Sequence, residues 1–130
     1  ILDAAIENIL TLTMDAFEND DSAAARQVEP LEEVIDVLVE RLRAQHIGRL
    51  KDGQCSIDTG VVFLDVLNNV ERISDHCSNV AVRLVGMESG EDYDSHTLKS
   101  LMHHNPDKEY TLHYERCLKE YLAPLDEMEA

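Results

Sequence analysis

Residues 61–85, VVFLDVLNNVERISDHCSNVAVRLV, decide the fold class. Apolar residues return every three or four positions without sustained alternation, which is the period of an amphipathic helix and not of a strand. Stepped at 100° per residue, Val62, Val66, Val70, Ile73, Cys77, Val80 and Leu84 gather on one side, the expected core face of a helix over 56–87. The opposite side carries Asn68, Glu71, Arg72, Asp75 and Asn79, with Glu71 and Asp75 one turn apart.

The same period extends outward in both directions. Upstream, Val28, Leu31, Ile35, Leu38, Val39, Leu42 and His46 define a helix over 21–50, with Pro30 predicting a kink or a reset of its start near Glu29. Asn19, Asp20, Asp21 and Ser22 supply capping oxygens for that helix, and Gly53 suits the left-handed turn after it. Before the caps, Leu2, Ile6, Ile9, Thr13 and Phe17 predict a helix over 1–18. Downstream, 88–94 reads as a loop, and Ser95 caps a short helix ending before Asn105 and Pro106. Tyr110, Tyr114, Cys117, Leu118 and Tyr121 stripe a last helix over 107–122 that stops ahead of Pro124. Five Gly and three Pro in 130 residues complete the expectation of an all-α fold. It is a single antiparallel bundle of three long helices plus a shorter C-terminal helical segment over 95–122.

Charge excludes some partners. Eleven Lys and Arg against 27 Asp and Glu give a net charge of −16, which repels phosphodiester backbones and anionic headgroups, so no nucleic-acid partner is expected. No run approaches the ~20 apolar residues of a membrane-spanning helix, and no direct membrane insertion is expected. Cys55, Cys77 and Cys117 form no C-x-x-C pair, which argues against a disulfide framework or zinc ribbon and for a reducing, cytoplasmic setting. Starting at Ile1 inside a helical pattern, the chain reads as a fragment of a longer one. It lacks a phosphate-cradling Gly-rich loop, an H-E-x-x-H signature and a partnered nucleophile, so no enzyme is expected.

The acidic residues are the candidate site. Glu29, Glu32, Asp36 and Glu40 stripe the second helix beside its apolar face, and Glu32 with Asp36 repeats the Glu-x-x-x-Asp spacing of Glu71 and Asp75. Like charges at that spacing cost ~0.2–0.5 kcal/mol per pair, a cost that a cation removes. Carboxylate oxygens suit hard or borderline divalent metals. The candidate ligands are Glu29, Glu32, Asp36, Glu71 and Asp75, with Asn68 and His76 as further ones. Plainer readings stand beside these. The acids serve as solvated helix faces, or Arg72 neutralises the stripe by pairing with Asp75 or with an acid of the second helix. His46 fits a hydrogen-bonded core histidine, His103 and His104 point apart, Cys77 is an inert core thiol, and the tyrosines are core before they are a docking face.

Residues 67–81, LNNVERISDHCSNVA, resemble the signature helix of the PhoU family, Leu-Glu-Arg-Ile-Gly-Asp-His, with Glu71, Arg72, Ile73, Asp75 and His76 matching and Ser74 replacing the glycine. Residues 27–36, QVEPLEEVID, resemble that family's second helix, where Glu32 and Asp36 match its first acidic element. More narrowly, 46–56, HIGRLKDGQCS, and the aromatic tail are similar to the PhoU-like C-terminal domain of bacterial sodium-dependent phosphate cotransporters. The resemblance implies a PhoU-like bundle whose acidic elements hold a divalent or trivalent metal (iron, zinc, nickel or manganese). It implies a regulatory role in phosphate uptake on the cytoplasmic side of the inner membrane, with the attached transmembrane transporter domain as partner and a homodimer as a further assembly. Residues 95–125 carry no second pair of acidic elements, so one metal cluster at most is expected. Two alternatives come from other classes: a carboxylate-bridged metalloenzyme acting on phosphate compounds, and a metal-free acidic module that docks a basic protein surface.

Overall fold

The computed structural model describes residues 2–54, 56–89 and 108–129. Three long helices, α1 (Leu2–Asn19), α2 (Ser22–Lys51) and α3 (Ile57–Ser89), are followed by α4 (Lys108–Cys117). A π-helical turn (Leu118–Leu122) carries α4 into α5 (Ala123–Glu129). The fold is all-α, and the described residues include no strand. α2 is the central element: α1 and α3 pack on it and on each other, and α4 lies along it. Residue 29 meets residue 78 while residue 46 meets residue 60, so α2 and α3 run antiparallel. Among the described residues, no helix is long and apolar enough to cross a membrane.

Asp21 starts α2 by accepting the backbone N–H groups of Ala23 at 3.1 Å and Ala24 at 3.3 Å, donors that would otherwise have no intrahelical partner. The helix start is not reset at Pro30: α2 runs unbroken through it. An interior proline costs about 3 kcal/mol. The wholly buried row Val28, Leu31, Val34, Ile35, Leu38 and Val39 outweighs that, at about 1.5–3 kcal/mol per buried aliphatic side chain. Asp52 closes the helix through its N–H to the Gly48 carbonyl, and Gly53 turns the chain with φ of 72°.

Two expected faces need correction. On α1 the core side is Ala5, Ile9, Thr13 and Ala16, and Phe17 faces solvent. On α3 the buried positions are Gly60, Leu67, Ser74, Cys77, Ser78, Ala81, Val82, Val85 and Gly86, whereas Val62, Val66, Ile73 and Val80 are exposed. Small residues face inward because they let α3 approach α2 closely. At Gly60 an added Cβ would lie 2.7 Å from Leu50 Cδ2 and 3.1 Å from His46 Nε2.

The C-terminal helix does not stop before Pro124. Ala123 N–H reaches the Leu118 carbonyl in an i→i+5 bond, and this wider turn comes just ahead of a proline that has no N–H for Glu120. The helix continues, and Tyr110, Cys117, Tyr121 and Leu125 are buried, as a core role for the tyrosines requires. Asn8 Nδ2 donates to the Tyr121 hydroxyl at 2.8 Å and ties this segment to α1. α3 extends to Ser89, past the expected loop start at 88. The rest of that loop, the short helix capped by Ser95, His103, His104 and Cys55 lie outside the described residues.

Candidate functional site: the carboxylate seam between α2 and α3

Antiparallel packing sets the acids of α2 against those of α3. Glu29 and Glu32, expected on a stripe beside the apolar face, are buried, while Asp36, Glu40 and Asp75 are exposed and Glu71 is half-buried. Glu29 has no exposed surface and accepts the hydroxyl proton of Ser78. A carboxyl group is kept in the interior at tolerable cost only when it is hydrogen-bonded.

Asp36 shows that the acids converge. Its carboxyl is pushed above the usual range, first by loss of water. A hydrogen bond with Glu32 opposes that shift, and the negative charges of Glu71, Asp75 and Glu29 add to it. All five candidate ligands therefore lie within one electrostatic neighbourhood.

The cation inside the seam is Arg43. Its Nη2 donates to Glu71 Oε1 at 2.6 Å and to Asn68 Oδ1 at 2.9 Å, and its Nη1 pairs with Glu40. The fork geometry of guanidinium allows these bonds at once. Arg72 is exposed on the far flank of α3, so the neutralising contact expected of it belongs to Arg43. His76 is also exposed.

The donor chemistry suits a hard cation, since the five acidic candidates all offer carboxylate oxygen. In this arrangement the oxygens are held elsewhere: Glu29 by Ser78, Glu71 by Arg43, and Asp36 by Glu32. Among the described residues, no group of three or more His, Cys, Asp or Glu side chains is arranged to hold a metal ion.

A second acidic link leaves the seam sideways. Tyr110 of α4 donates its hydroxyl to Glu33 of α2, and burial, that bond and the charges of Glu33, Glu29 and Glu32 push the phenol far above its usual value. Burial raises the Cys117 thiol, which keeps it protonated. His46 is a core histidine, as its apolar position implied. Arg49 Nη2 donates to its Nδ1 at 3.1 Å, which assigns the proton to Nε2, 3.2 Å from the Gly60 carbonyl. Its ring packs on Phe63 with centroids 4.5 Å apart.

Sequence reasoning missed Arg43, Ser78 and the Glu33–Tyr110 pair. Arg43 had a usable signal, because residues 36, 40 and 43 share one helix face. Ser78 and Glu33 had none, since their roles depend on how the helices are rotated.

The PhoU domain profile matches residues 2–84. Over 79 residues the chain is 33% identical to a phosphate-specific transport system accessory protein PhoU homolog of Streptococcus pneumoniae, covering 61% of this chain and 37% of that protein. Over 77 residues it is 25% identical to the PhoU homolog 1 of the same accessory-protein description from Thermotoga maritima, covering 59% of this chain and 33% of that one. The chain thus spans about a third of the length of these curated relatives. No solved structure matches it significantly.

Proposed function

The chain belongs to the PhoU domain family, and on that premise we propose that it is a regulatory, non-catalytic domain of phosphate transport. In the narrower reading it is the cytoplasmic domain of a bacterial sodium-dependent phosphate cotransporter, attached to the transmembrane part at the inner membrane, and its α2–α3 seam binds metal. The observation that carries the reading is the concentration of Glu29, Glu32, Asp36, Glu71 and Asp75 around one internal cation, Arg43. The relatives described as transport accessory proteins support the phosphate context.

A bound divalent or trivalent ion (iron, zinc, nickel or manganese) would supply the positive charge that the seam lacks. The chain's own residues do the rest. Ser78 holds Glu29, while Glu32, Asp36 and Glu71 would offer the ion their oxygens in place of their present partners, Arg43 among them. Because these groups bridge α2 and α3, their exchange of partners alters how the two helices pack, and Glu33–Tyr110 carries that change to α4.

The test is elemental analysis of the purified chain after exposure to each metal, beside a Glu71→Ala/Asp75→Ala variant. Stoichiometric metal in the native chain and its loss from the variant are expected; no metal in either overturns the metal reading. One observation favours a second reading, in which a basic protein segment docks without metal. Arg43 already shows how a guanidinium satisfies Glu40, Asn68 and Glu71 together. Binding of an arginine-rich peptide that weakens with salt while metal does not bind would select it.

A further inference from the structure

One buried oxygen between α2 and α3 is not accounted for by packing. Ser74 has no exposed surface, and its Oγ has no hydrogen-bond partner among the described residues. A buried hydroxyl in that position has lost its water and gained nothing in exchange, and nearly all buried polar groups in folded proteins avoid this. Ser78, one turn further on, donates to a glutamate, whereas Ser74 donates to none. The PhoU signature pattern has glycine here, so the oxygen is this chain's own.

Its neighbours place it in the seam. Glu71, three residues earlier, bonds Arg43 of α2, and Ser78, four residues later, bonds Glu29 of α2. Positions 71, 74 and 78 fall within about 60° of one another around the helix, so Ser74 stands between two side chains that already cross to α2. The register agrees. With 29 set against 78 and 46 against 60, residue 74 comes level with 32 and 33. Glu33 is turned to Tyr110 of α4, which leaves buried Glu32, hydrogen-bonded with Asp36, as the carboxyl across from Ser74.

We propose that the Ser74 hydroxyl is a further ligand of the seam's metal ion, opposite Glu32, and that it makes the site an all-oxygen one selective for hard divalent ions such as Mn²⁺. The inference rests on the metal reading above and adds to it a ligand and a class of ion. A hydroxyl raises the number of oxygens without adding charge to a crowded row of acids, and ions that prefer six or more oxygens gain most from it. Nitrogen and sulfur donors are turned elsewhere. His76 is on the exposed side of α3, and Cys77 is buried in the apolar cluster.

Calorimetric titration of the 130-residue chain with Mn²⁺ and with Zn²⁺, beside urea midpoints measured without metal, tests this on the native chain, Ser74→Ala and Ser74→Cys. Ser74→Ala is expected to raise the midpoint, because it removes an unsatisfied hydroxyl, and yet to weaken Mn²⁺ binding about tenfold. A side chain that only spaces the helices would move the first and not the second. Ser74→Cys is expected to weaken Mn²⁺ and tighten Zn²⁺ relative to the native chain, since a thiolate is a soft ligand. Native-strength Mn²⁺ binding in Ser74→Ala, or a native chain that takes Zn²⁺ but not Mn²⁺, overturns this proposal and leaves the metal reading standing. A native chain that binds neither ion overturns both.

Discussion

Arg43 is the residue on which the seam turns, because its guanidinium is the positive charge that Glu71, Asn68 and Glu40 share. Arg43→Ala should leave Glu71 without that partner and so tighten cation binding by several-fold, which titration calorimetry with a divalent metal would report; unchanged or weaker affinity would show that Arg43 does not compete. Gly60 makes a separate point about packing. A methyl group there must push aside Leu50, whose end is flexible, and the His46 ring, which is held by Arg49 and stacked on Phe63. Gly60→Ala should therefore cost about 1 kcal/mol, read as a lower denaturant midpoint. Tyr110 sets an alkaline limit. A phenol raised above its unfolded value of about 10 stabilises the fold below that pH, and the contribution falls by about 1.4 kcal/mol per pH unit above it. Tyr110→Phe should flatten that alkaline slope in urea midpoints measured on either side of pH 10.

The helices differ in how far their sequences reveal them. α2 was legible in its rotation, because its large aliphatic side chains and its buried side coincide from Val28 to Val39. α3 was legible as a helix but not in its rotation. Its bulky β-branched residues sit on the outer face, while Gly60, Ser74, Ser78 and Ala81 face inward, so hydrophobicity pointed away from the true contact. Ser74 shows the cost of that choice, since its buried hydroxyl has no hydrogen-bond partner. The continuation past Pro124 was hidden for another reason: a π-helical turn has no pattern of its own and depends on Tyr121 and Leu125 being drawn into the core. At this scale the Asp21 cap is the simplest check. Asp21→Ala should remove two backbone partners at the start of α2 and cost about 0.5–2 kcal/mol, with faster hydrogen exchange confined to the first turn of α2.

The whole molecule is a bundle organised around α2, which gives one side to α1, one to α4 and a charged seam to α3. The acidic spacing in the sequence identified the five carboxylates that meet there, but not that two of them are buried or that the protein supplies its own cation. On the proposed metal reading, an ion that binds only the folded seam adds about 2.7 kcal/mol at a hundred times its dissociation constant. The most direct measurement is thermal unfolding with hydrogen exchange, with and without saturating metal, on the native chain and on Glu71→Ala/Asp75→Ala. The account predicts a raised Tm and slower exchange along α2 and α3 in the native chain, and neither in the variant. Identical Tm and exchange with and without metal in the native chain would contradict it.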